Sequence, residues 1–235
     1  MTAAPAIEIV GVTKSYAALR PLRIASLTVA VGERVALSGL DAGGAELLVN
    51  LVTGASLPDA GEVRVFGRRS ADIPDGDEWL KSLDRFGIVS ERGVLLEGAS
   101  VIQNLALPFS LQIDPIPQAT LRDVSALAAE CGIETEWMER QTGGVPSAVR
   151  ARVHLARALA LAPQVLLLEH PTAALPEAER AAFGAAVAKV CDARGLTALA
   201  VTLDTAFASA AAHRTLTLQP ATGQLVAARR SWWRK

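Results

Sequence analysis

A chain of 235 residues that is 51% apolar and 20% charged can bury one compact core, which excludes a disordered polymer. Its 23 basic and 24 acidic side chains leave a net charge of −1, so no global field draws it to nucleic acid, and none is expected as a partner. The two cysteines, Cys131 and Cys191, fit no metal spacing and read as core residues in a reducing compartment.

The first residues carry no basic region followed by an apolar one, so they do not read as a signal peptide. Residues 7–12 alternate as a strand, as do 24–31, which end at the turn Val31-Gly32-Glu33. Residues 34–38 are a short apolar run opening into Gly39-Leu40-Asp41-Ala42-Gly43-Gly44. An apolar helical stretch over 46–53 follows and stops at Gly54. Pro58 and Gly61 punctuate a turn, and 62–66 and 86–90 return as strands. From about 92 to 144 the pattern is helical, broken at Pro108, Pro115 and Pro117, as in an inserted lobe. Pro146 opens a helix reaching 161, because proline at a first helical position loses no internal hydrogen bond. Residues 164–168 form a continuous apolar strand of the kind buried on both faces of a parallel sheet. Helix 177–193 closes at Gly195, 196–202 is a strand, and 215–228 reads as a hairpin around 220–223. The most apolar helical stretch, near 153–168, carries His154 and Arg157 and falls short of the ~20 residues a membrane span needs. The pattern predicts one α/β domain with a helical insertion.

A glycine loop between a strand and a helix points several backbone N–H groups at one place, where the helix dipole adds positive potential suited to phosphate. The full motif runs Gly, four residues, Gly, Lys, Ser or Thr. Gly39 and Gly44 have that spacing, but Ala45 stands at the lysine and Glu46 at the hydroxyl that would ligate magnesium. Asp41 and Glu46 add negative charge where phosphate would sit. Like charges ~4 Å apart repel by roughly 4 kcal/mol at an effective dielectric of about 20, enough to oppose the backbone attraction.

Over residues 7–228 the chain resembles the ATP-binding subunits of ABC transporters. Residues 39–61 are similar to the phosphate loop, its helix and the next turn, 87–109 to the stretch that contacts the membrane subunit, and 150–175 to the helix after the signature, the acidic strand and the loop beyond. The resemblance implies a P-loop NTPase-like (RecA-like) α/β core with an antiparallel β subdomain and an inserted helical subdomain over about 92–146, the whole of 1–235 being one cassette domain. Of the family's functional positions it implies Tyr16 as the adenine-stacking aromatic, with Gly39, Gly43, Gly44, Ala45 and Glu46 as the nucleotide loop. Glu91 stands at the glutamine that senses magnesium and attacking water, and Glu169 at the aspartate ending the buried strand. Glu169 is one methylene longer and still able to reach a metal through water. His170 stands at the glutamate that orients water, a base in principle, and Leu203 at the terminal-phosphate histidine. Ser147 and Ala148 fall in the signature, which lacks its glycine pair unless Thr142-Gly143-Gly144 is a displaced copy. Pro176 takes the place of an aspartate in the loop facing the opposite subunit.

These replacements together predict a catalytically degenerate subunit, since phosphoryl transfer depends on positioning and charge neutralisation. No cofactor is expected, and ATP with magnesium would enter only if the chain were a weak ATPase using Glu169 and His170. A regulatory module for a less anionic ligand is the third reading. The resemblance implies a membrane permease as partner, and a second cassette subunit in a homo- or heterodimer, placing the chain in the cytoplasm at the inner membrane. Residues 87–109 look most like cassettes that move lipids or lipoproteins. Leu95, Leu96 and Val101 are the expected permease contacts. The C-terminal Arg229-Arg230-Ser231-Trp232-Trp233-Arg234-Lys235 combines cations and aromatics as suits a membrane–water interface, the other reading being a solvated tail.

Overall fold

The computed structural model describes residues 4–90 and 92–227. Among the described residues ten strands build two sheets: β1(Ile7–Lys14), β2(Leu22–Val29), β3(Arg34–Ser38), β4(Ala60–Val65), β5(Arg68–Arg69), β6(Phe86–Val89), β7(Val165–Glu169), β8(Thr197–Val201), β9(Arg214–Gln219) and β10(Gln224–Ala227). The first sheet has the order β2-β1-β4-β5 and is antiparallel throughout. The second has the order β10-β9-β3-β8-β7-β6, parallel except for the β9–β10 hairpin. Burial explains the two sequence patterns. β7 and β8 are buried at every residue and read as apolar runs over 165–168 and 198–201, whereas β2 intersperses exposed residues among buried ones.

Seven helices are described: α1(Ala42–Thr53), α2(Gly76–Leu83), α3(Val101–Ala106), α4(Gln118–Glu130), α5(Ser147–Leu159), α6(Glu177–Arg194) and α7(Thr205–Ala211). α1 begins four residues before the expected 46, because the Asp41 carboxylate caps it and Gly54 closes it in the left-handed region. One apolar cluster packs α1 between the sheets, and the other packs α3–α7 on the opposite face of the parallel sheet. Both cysteines are buried in the second cluster.

The lobe is less helical than its sequence suggests. Between 92 and 146 only α3 and α4 are regular, joined by turns and irregular chain. Asn104 on α3 holds this irregular stretch. Its Nδ2 donates to Leu96 O (2.9 Å), Ser100 O (3.1 Å) and Thr142 Oγ1 (2.9 Å), while its Oδ1 accepts from Leu96 N (2.8 Å). The side chain is fully buried, and each amide position finds a partner. α2 and α7 escaped the sequence reading because both are short: α2 is mostly polar, and α7 is a run of small residues capped by Asp204.

Candidate functional site

Parallel sheets place loops at the carboxyl ends of their strands, where α/β proteins collect ligands and chemistry. Register brings four such ends into line: Leu37 pairs with Val201, Val201 with Glu169, and Leu168 with Val89. The glycine loop after β3, the Glu169–His170 step after β7, the Leu203 turn after β8 and the Ser90–Arg92 segment after β6 therefore share one face.

The loop has the backbone of a phosphate site and side chains that oppose one. Gly44 N–H donates to Asp41 Oδ1 at 2.8 Å, so a carboxylate already takes one amide a phosphate would seek. Ala45 is fully buried in the core, with no cation at the position of the motif's lysine. The glycines are explained by packing. At Gly39, φ is +92° and a Cβ would come 2.6 Å from Leu218 O; at Gly44 it would meet Leu40 and Asp41 side chains at 3.0 and 3.1 Å. Tyr16 lies on this loop, its Cε2 3.5 Å from where a Gly43 Cβ would stand. Burial first, then the negative charge of Asp41, raises the Tyr16 pKa.

Arg92, which the sequence reading passed over, organises the site. Its Nη1 donates to Glu46 Oε1 at 2.6 Å, its Nη2 to Glu169 Oε1 at 2.5 Å and its Nε to Glu169 Oε2 at 3.1 Å. Ser90 Oγ donates to the same Glu169 oxygen at 2.8 Å. The hydrogen bond with Glu169 is the main cause of a raised Arg92 pKa, partly offset by desolvation. Two expectations change. Glu46 does not present a bare charge to the loop, because Arg92 neutralises it. Glu169 is not available to a water-held metal, because both oxygens are taken and its side chain is 7% exposed. The hint lay in the chain itself: two carboxylates at the two metal-side positions, with an arginine following β6.

Magnesium–ATP does not fit this residue set. The loop lacks a lysine, one loop amide is capped by Asp41, and a guanidinium joins the two positions that would face the metal. His170 is no readier to act as a base. It sits at a positive φ of 42°, and its Nε2 is buried without a hydrogen-bond partner among the described residues. A cleft of about 260 Å³ runs past His170, Thr172, Arg180, Leu203 and Asp204. Leu203 is 68% exposed there and offers no polar atom from its side chain. Glu91 and 229–235 lie outside the described residues.

Ser147 starts α5 beside a cavity of about 340 Å³ bounded also by Ser90, Arg150 and His154, and Ala148 packs at the edge of the second core. Thr142 is fully buried on Asn104 and Ala99 O and buttresses the lobe, while Gly143 and Gly144 beside it are exposed. Among the expected permease contacts, Leu95 (5% exposed) and Val101 (0%) belong to the core and cannot meet a partner; Leu96 (45%) can, with its neighbour Val94 (74%). Alternation along this irregular stretch turns neighbouring apolar residues to opposite sides, which an apolar count cannot resolve.

A mixed sheet with a glycine loop after its central strand, an antiparallel sheet beside it and a small helical lobe define the ATPase cassette class. The ABC transporter family profile matches residues 22–173, well over half of the chain, and the chain belongs to that family. It is similar to the sulfate/thiosulfate import ATP-binding protein of Methylococcus capsulatus, 30% identical over 217 residues, 90% of this chain and 60% of that protein. The Fe(3+) ions import ATP-binding protein of Pseudomonas fluorescens is 28% identical over 201 residues, 86% of this chain and 55% of that one. The methionine import ATP-binding protein of Brucella abortus is 32% identical over 207 residues, with 86% and 54% covered. The chain thus spans little more than half the length of these relatives. A component of a Clostridium perfringens ABC transporter complex superposes with a TM-score of 0.77 at 19% identity, over 95% of this chain and 87% of that one. A cassette solved as a dimer with ADP and Pi superposes at 0.72 and 20% identity, over 97% and 100%. Among the described residues no helix is long and apolar enough to cross a membrane.

Proposed function

We propose that the chain is a non-catalytic cassette subunit, a single domain with its helical lobe at about 92–146, that docks on a membrane permease from the cytoplasmic side. The observation that carries the reading is the occupied charge site: Arg92, Glu46 and Glu169 satisfy one another where a metal–triphosphate would need them free. Losing one charge-stabilising group costs roughly a hundred- to a thousandfold in rate, and here several are replaced together. Val94 and Leu96, exposed on a segment fixed by Asn104 and by Arg157 Nη1 donating to Val94 O (2.7 Å), supply an apolar contact for the permease. A second cassette, identical or active, completes the assembly. The relatives' names favour a small-solute importer as the transporter served over the lipid system suggested by 87–109.

The weak-ATPase reading keeps one support: the relatives are ATP-binding proteins by name, and the strand–glycine loop–helix backbone survives. Fluorescent-nucleotide titration separates the two. No micromolar magnesium-dependent affinity and no phosphate release are expected. Turnover abolished by changing His170 would establish the weak enzyme instead.

A further inference from the structure

Two carboxylates aimed at one point of a loop-rich face need a cation between them. The Glu169 side chain is 7% exposed, where an unpaired charge is costly, and Glu46 approaches from α1. We propose that the Arg92 guanidinium is a tethered substitute for a divalent metal: it bridges Glu46 to Glu169 and pins the segment after β6 to the phosphate loop and to the end of β7, whether or not metal or nucleotide is present. This rests on the reading above that the site does not handle a metal–nucleotide complex.

The geometry suits a guanidinium better than an ammonium. One fork grips both oxygens of Glu169 at 2.5 and 3.1 Å, and the remaining terminal nitrogen reaches Glu46 at 2.6 Å. A lysine has one nitrogen for the same task. Most of the stabilisation comes from the Glu169 end, because the Glu46 end is half-exposed (45%) and screened by solvent. Ser90 Oγ completes Glu169 at 2.8 Å and accepts Arg92 N–H at 3.2 Å, so backbone and side chain of Arg92 are fixed by the same cluster. Beyond it Gly93 N–H donates to Ser90 O at 3.0 Å, close beside His154. The segment leading to Val94 and Leu96 is therefore anchored by charge at its start and by the Asn104 amide at its end.

Removing the tethered cation should open a metal site that the native chain closes. The experiment uses the full chain without nucleotide, with Mn2+ alone as the probe. Wild type should show the same thermal midpoint in chelator and in millimolar Mn2+, and no loss of free-Mn2+ signal by electron paramagnetic resonance. Arg92→Gln should melt about 5 °C lower in chelator, recover part of that loss with Mn2+, and bind about one ion. Arg92→Gln with Glu46→Gln should lose that ion, showing that both carboxylates hold it. Arg92→Lys should fall between wild type and Arg92→Gln in midpoint. If Arg92→Gln accumulates only when Mn2+ is supplied, the proposal stands; if it is unfolded with and without Mn2+, or folded with an unchanged midpoint and no ion, the proposal is overturned. Mn2+ binding by wild type at Glu46 and Glu169 would overturn it as well. Because no nucleotide is present, these outcomes are independent of the titration that tests the degenerate-subunit reading.

Discussion

The glycine loop after β3 and the joint around Asn104 show opposite relations between backbone and side chain. In the loop the backbone has the form of an anion cradle, and the side chains on it, Asp41, Ala45 and Glu46, contradict that form. In the joint the backbone is irregular, and one side chain satisfies it with four hydrogen bonds. A fold can keep the shape of a site through glycines, caps and close packing while the chemistry laid over it changes completely. An irregular segment has no such reserve and depends on the residue that holds it.

The sharpest way to break that contrast is at the joint. Asn104→Leu fits the volume but leaves the Leu96 N–H without its acceptor, while Leu96 O and Ser100 O keep only the backbone N–H groups of Ala99 and residue 104. It should destabilise by about 3 kcal/mol in urea denaturation, the cost of four lost hydrogen bonds and one unpaired amide. The loop's packing glycine comes next. Gly39→Ala must place a Cβ 2.6 Å from Leu218 O at φ +92°, and should cost about 2 kcal/mol with no nucleotide present, marking Gly39 as a packing residue.

Acid should then act on α5 through His154. Burial, reinforced by Arg157 and Arg150, pushes its pKa down to about 4 from the ordinary 6.5. The folded state binds the proton less well than the unfolded one, so stability is complete above the unfolded value and falls as pH drops from 6.5 toward 4. Discounted for partial exposure, the loss is about 2 kcal/mol. Thermal midpoints of His154→Gln should lack that slope in the window, and an unchanged slope would remove His154 as its source. The smallest stability effect belongs to the exposed contact. Val94→Asp with Leu96→Asp should shift stability by no more than about 0.5 kcal/mol, while a permease that co-purifies in mild detergent with wild type is lost.

Much of the fold was legible because burial on both faces writes itself as apolar runs. β3 and β7 fell within a residue of expectation, and α6 closed at Gly195 as its left-handed cap requires. The site was legible only as a pattern of replaced positions. What replaced their interactions was hidden, because Arg92 meets Glu46 and Glu169 across 46 and 77 residues of chain, and linear spacing does not encode such a meeting. Two of the three permease contacts failed for a related reason: Leu95 and Val101 differ from Leu96 in orientation, not in hydrophobic character.

The two cysteines turn the molecule into its own clock. Burial pushes the Cys131 thiol up to about 12 and Cys191 up to about 11, so in the closed protein neither carries appreciable thiolate at neutral pH. Cys131 follows α4 in the lobe and Cys191 lies on α6 against the parallel sheet. Alkylation at each therefore counts separate openings, one of the lobe and one of the sheet layer. Two labelling rates read from a single sample would show whether the halves breathe together or apart.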